Sequence, residues 1–145
     1  MTKGGLAKQY FLSGKNCSQS VVLAFKEELG FTEEQISKLT IGLGGGIGRL
    51  RLTCGAVSGM VIVLSYLLSD GNDKMGIYSI VQQACKEFIE EFGSLTCAEL
   101  LDGIKTNNSP IPEARTKEYY KKRPCAEICE VASNVAEKYL KLYRE

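Results

Sequence analysis

Apolar positions in this chain recur every three or four residues, and no segment holds the period-two alternation of a half-buried strand. The pattern predicts helices throughout. Residues 6–12 read as a short helix that turns Tyr10 and Phe11 inward, broken by Ser13-Gly14-Lys15. Asn16 then supplies an N-cap, which puts Cys17 at the first helical position. Cys17, Val21, Phe25 and Leu29 follow at intervals of four, with Val22 widening the stripe, until Gly30 stops the helix. Thr32-Glu33-Glu34-Gln35 reads as a capping box, and the helix it opens points Ile36, Leu39 and Leu43 at the core.

The most apolar segment starts after Thr53, a further N-cap, and runs to about Leu68, with Cys54 in its first turn. Val57, Met60, Val61, Val63, Leu64, Tyr66, Leu67 and Leu68 leave it little polar surface. A membrane span needs about 20 apolar residues. This run is shorter, contains Ser58 and Ser65 and follows Arg49 and Arg51, so it reads as a central buried helix. Gly55 and Gly59 give it a flat face where another helix could pack, and a homodimer is one use for such a face.

After the turn Asp70-Gly71-Asn72-Asp73, a long amphipathic helix is expected from Lys74 to Phe92, with Ile77, Val81, Phe88 and Phe92 at core spacing and Cys85 in its middle. Thr96-Cys97-Ala98-Glu99 reads as another capping box, opening a short helix. A polar loop from Gly103 to Pro112 and a charged segment through Tyr119, Tyr120 and Arg123 lead to Pro124, which suits a first helical turn. The last helix then carries Cys125, Ile128, Ala132, Val135, Tyr139 and Leu142. The expected fold is all-α: a single domain, residues 1–145, built as a bundle of five or six helices around the apolar helix at about 53–68.

Composition narrows the function classes. With 18 basic against 17 acidic residues, no charge excess argues for nucleic acid as partner. The amino terminus lacks the apolar run of a signal peptide, so the expected setting is cytoplasmic, with no membrane association. In a reducing compartment, six cysteines point to metal binding, catalysis or redox switching before a disulfide framework. The absence of histidine removes Cys-His and Ser-His catalysis and mixed Cys/His zinc sites within one chain.

Four cysteines share one setting. Cys17 follows Asn16, Cys54 follows Thr53, Cys97 follows Thr96 and Cys125 follows Pro124, each in the first turn of an expected helix. Free N–H groups and the helix dipole favour a thiolate there, so the pattern suits reactive or ligating sulfurs. Cys85, on an apolar stripe, reads as inert core; Cys129, one turn after Cys125, reads either as core or as an additional thiol. Residues 42–48 hold five glycines, too many for a regular helix at about 1 kcal/mol each. They match neither a Walker A loop nor G-x-G-x-x-G. The loop reads either as a tight helix crossing or as an amide-lined wall beside Cys54, with Gly46, Gly48 and Gly55 giving room and Arg49 and Arg51 favouring an anion.

Gly14-Lys15-Asn16-Cys17-Ser18-Gln19-Ser20-Val21, the glycine-rich approach to Cys54-Gly55-Ala56-Val57-Ser58-Gly59, then Gly93-Ser94-Leu95-Thr96-Cys97 and Cys125, resemble the C_GCAxxG_C_C family of putative redox-active proteins. The likeness runs from about 10 to 143. The family's name writes Gly-Cys-Ala, whereas here Thr53 precedes Cys54 and Gly55 follows it. The resemblance implies redox activity without naming a reaction.

Three functions compete at this point. The leading one is a thiol redox protein, a possible thiol oxidoreductase needing no cofactor, in which two of Cys17, Cys54, Cys97 and Cys125 cycle between dithiol and disulfide with a redox partner protein. Cys54 is the candidate attacking thiolate. The second is a zinc or iron–sulfur site ligated by the same four cysteines, although no Cys-x-x-Cys pair is present. The third is a helical interaction domain whose cysteines only pack.

Overall fold

A computed structural model describes residues 1–144. Nine α-helices are present among them: α1 (Lys3–Leu12), α2 (Cys17–Ala24), α3 (Lys26–Leu29), α4 (Glu33–Thr40), α5 (Gly55–Leu68), α6 (Lys74–Phe92), α7 (Cys97–Leu100), α8 (Lys117–Lys122) and α9 (Cys125–Tyr143). The all-α expectation holds. The count exceeds five or six because α3, α7 and α8 are short helices of four to six residues. None of the described helices is long and apolar enough to cross a membrane.

The caps explain several boundaries. Asn16 accepts from the Gln19 amide and Gln19 returns a bond to the Asn16 amide, a capping box that fixes Cys17 at the helix start. Thr32 and Gln35 close the expected box at α4. Gly30 ends α3 in the left-handed conformation, φ 76°, where a side chain would be strained.

The core centres on two crossing helices. α5 packs against α2, α9 and α6, while α1 lies across α2 and α9. Every residue of α2 from Ser18 to Ala24 is buried, so α2 shares the centre with α5. Phe11, Phe25, Phe88, Met60, Leu64 and Ile128 fill the interior. Each such side chain contributes roughly 1.5–3 kcal/mol on leaving water. Gly55 and Gly59 let α2 approach: a Cβ at Gly59 would lie 3.0 Å from Val21 Cβ, and one at Gly55 would lie 3.1 Å from the Ser18 amide. The flat glycine face is thus filled from within the chain, and the argument it offered for a homodimer falls.

Other expectations shift by one position or one element. The helix expected over 17–29 breaks at Phe25, whose φ −105° and ψ 19° separate α2 from α3. α4 turns Ile36 and Thr40 inward, four apart, which leaves Leu39 70% exposed. In α6 the fully buried stripe is Ile80, Ala84 and Phe88, with Ile77, Cys85 and Phe92 at its flanks. Tyr66 lies outside the core, against Phe31 at 5.4 Å, and Leu142 faces solvent beyond the stripe that ends at Leu140.

Candidate functional site

A small antiparallel contact between two distant segments builds one wall of the site. Thr53 pairs with Thr96 across an isolated bridge; the Cys54 amide donates to Leu95 O at 2.8 Å and the Cys97 amide to Leu52 O at 2.6 Å. This pairing sets Cys54 and Cys97 side by side at the starts of α5 and α7. It also displaces the expected caps. Thr53 is held in the bridge, Cys54 itself becomes the N-cap of α5, and Thr96 makes no side-chain cap bond, so its capping box does not form.

The glycine-rich stretch folds into a left-handed coil. Gly45, Gly46, Ile47, Gly48, Arg49 and Arg51 all have φ between 55° and 75°. For a residue with a Cβ this conformation costs roughly 1–2 kcal/mol, and a β-branched isoleucine there is an outlier. The coil is braced by Gly48 N–H to Gly42 O at 2.9 Å, Arg51 N–H to Gly45 O at 3.0 Å and Leu52 N–H to Gly46 O at 2.9 Å. Most amides expected to line a wall are therefore used inside the loop. Gly46 has no room for a side chain, since a Cβ would lie 2.6 Å from the Leu52 amide and 2.7 Å from Cys97 Cβ. Gly48 faces open space and takes no part in the site.

Cys17, Cys54, Cys97 and Cys125 surround one cavity of about 60 Å³, closed also by Gly45, Gly46, Gly55 and Tyr119. Arg51, Arg115 and Arg123 line it too. Arg51 Nη1 donates to Cys97 Sγ at 3.8 Å. Arg49 does not reach the cavity: its guanidinium donates to the carbonyls of Ser109 and Ile111 and to Glu113, 3.2 Å away. Arg51 also meets Asn107 O, so the two loop arginines tie down the polar segment 107–113. Their expected service to Cys54 is replaced by contact with Cys97 and with this segment.

Residues from the charged segment, outside the expected site, complete it. Glu113 Oε1 lies 2.6 Å from Arg123, 3.2 Å from Arg49 and 3.6 Å from Arg51, so one carboxylate serves three guanidiniums. Arg115 donates to Phe11 O and Lys15 O, both at 2.9 Å, and stacks its guanidinium 4.3 Å from the Phe11 ring and 5.0 Å from that of Tyr119. The signal available in sequence was Arg115, Tyr119 and Arg123 at intervals of four, just ahead of Pro124-Cys125.

The Cys17, Cys125 and Cys129 thiols perturb one another's ionisation, and Cys129 Sγ, fully buried, donates to Cys17 O at 3.9 Å. All six cysteines are free thiols. Helix starts favour lowered thiol pKa values, yet at Cys17, Cys54 and Cys125 the surroundings raise them. Desolvation pushes Cys54 from 9.0 up to about 12, against the pull of the Ala56 and Val57 amides, which face its sulfur without closing a cap bond. For Cys17 the Cys125 thiol favours the anion, but Cys129 and burial outweigh it and the pKa rises. Cys125 is raised by Cys17 and by burial while Arg123 and Arg115 pull it down. Burial likewise raises Cys129, and Cys85, which stands apart on α6. Tyr119 is pushed up to about 12, chiefly by burial. Among the described residues, no three His, Cys, Asp or Glu side chains gather so as to hold a metal ion.

Residues 15–139 match the family described as "Putative redox-active protein (C_GCAxxG_C_C)". The match spans most of the 145 residues, and the chain belongs to this family. No curated protein and no solved structure matches it.

Proposed function

We propose that this protein is a thiol-based redox protein in which Cys17 and Cys125 cycle between dithiol and disulfide. The carrying observation is that both thiols line one cavity, which Arg51, Arg115 and Arg123 also line, and that each perturbs the ionisation of the other. The oxidant is the disulfide of a partner. The Cys125 sulfur, deprotonated as it reacts, attacks one partner sulfur and breaks the partner's S–S bond; the departing sulfur takes up a proton. Cys17 then attacks Cys125 Sγ, forming the internal disulfide and releasing the second partner thiol. Two electrons and two protons have moved from this chain to the partner. Arg123 and Arg115 favour the transient Cys125 anion. Cys125 takes the attacking role in place of Cys54, because Arg123 and Arg115 pull on its thiol and no arginine acts on that of Cys54.

Mild oxidation followed by mass spectrometry tests the reading. The expected product has lost two hydrogens and regains them with a dithiol reductant. Six thiols that stay reduced and unreactive overturn it. Metal analysis after anaerobic purification separates the four-thiolate alternative: stoichiometric zinc or iron with protected thiols favours that site over the disulfide cycle.

A further inference from the structure

The charges around the cavity do not balance. Arg49, Arg51, Arg115 and Arg123 sit together, and Glu113 is the one carboxylate among them. No Asp or Glu lines the cavity itself, and Cys17, Cys54 and Cys125, which do, are all shifted toward the neutral thiol. Arg51 and Arg123 are each only 8% exposed, so water screens little of this excess. Arg115 is held by carbonyls, a hydroxyl and aromatic faces, with no acid. In addition, the N–H groups of Gly45 and Gly46, both lining residues, find no acceptor among the described residues. Cys54 and Cys125, at the starts of α5 and α9, line the cavity, and neither helix has a side-chain cap bond.

We propose that the cavity is a binding site for a small oxyanion, held by Arg51, Arg115 and Arg123 with the Gly45 and Gly46 amides, beside Cys97 and Cys125. Size sets the class. Against roughly 10–15 Å³ for one water, about 60 Å³ holds about four water-sized groups, the size of a tetrahedral or pyramidal oxyanion. Guanidinium forks and open amides are the donors such an anion needs. This site goes beyond the disulfide cycle and does not depend on it.

The test uses fully reduced protein, so its outcome is independent of oxidation. Inorganic phosphate and sulfate are titrated by calorimetry at constant ionic strength, with chloride as control. Saturable binding of at least one oxyanion is expected, weakened at least tenfold in Arg115→Gln and in Arg123→Gln and unchanged in the surface variant Lys38→Gln. Because Arg115 also braces α1, the wild-type protein supplies a second readout: the Gly45 and Gly46 amide resonances shift with phosphate and saturate at the calorimetric midpoint. An oxyanion effect no larger than that of chloride overturns the proposal. So does binding that leaves those two amides unmoved.

Discussion

Replacing Gly46 by alanine separates the geometry of this loop from its mere flexibility, because Gly48 is a built-in control. Both glycines have positive φ, 75° and 55°. An added Cβ costs each roughly 1–2 kcal/mol for the left-handed conformation. At Gly48 that is the whole cost, since nothing lies within 4 Å. At Gly46 the new atom would meet the Leu52 amide at 2.6 Å, Cys97 Cβ at 2.7 Å and Arg51 Cα at 2.8 Å, two of them backbone atoms. Forcing a methyl into a packed site adds about 1–3 kcal/mol, so Gly46→Ala should lose about 2–5 kcal/mol and Gly48→Ala about 1–2. Relief requires the Thr53–Thr96 contact to open, which carries Cys97 away from the cavity. Urea unfolding with a thiol reductant measures the first effect, and peptide-mapped alkylation measures the second, with Cys97 modified faster in Gly46→Ala alone. Equal stabilities within about 0.5 kcal/mol, and equal Cys97 reactivity, would refute the tight packing of this loop.

Three further outcomes follow from the same geometry. Glu113→Gln leaves Arg51 and Arg123 without their anion; since the carboxylate is about one-third exposed, the loss is about 1–3 kcal/mol, and Cys125 alkylation at pH 8 should quicken as Arg123 is freed, a reading that an unchanged rate would contradict. Cys54 binds its proton more tightly folded than unfolded, so its contribution is complete below about pH 9 and is lost as pH rises toward about 12. Part of it is already lost at pH 10; the unfolding free energy of Cys54→Ala should therefore fall less between pH 8 and 10 than that of wild type, and parallel curves would count against burial as the cause. Lys138 holds the Glu87 carboxyl below its usual range where α6 meets α9, against the push of burial, with Tyr139 adding a lesser pull. That stabilisation is present above the ordinary carboxylate pKa and is lost as pH falls through the lowered one; Lys138→Gln should move the Glu87 titration, followed by NMR, upward.

Much of the fold was legible because caps and apolar spacing are local signals. Asn16, Thr32, Gly30 and Pro124 sit where those rules place them. Grouping four cysteines by their positions at helix starts also anticipated which residues surround the cavity. What local reasoning missed was long-range. The bridge from Thr53 to Thr96 claims two threonines that were read as caps, because backbone pairing 43 positions apart leaves no local trace. The thiolate argument failed for a related reason: a helix start favours an anion only when water or charge reaches it, and packing of α2, α5 and α9 removes the water. The segment read only as charged, through Tyr119 and Arg123, is turned by the fold over Phe11 and the cavity, and it brings Glu113 and Arg115, which that reading did not single out.

The central claim is that Cys17 and Cys125 are the pair that stores two electrons. Limited oxidation of the reduced protein, alkylation of the remaining thiols and peptide mapping of the bridge test it most directly. The expected product is one intramolecular disulfide joining Cys17 to Cys125, reversed by a dithiol and abolished by serine at either position. Six alkylated cysteines after oxidation, or a bridge that forms only between other cysteines, would contradict it.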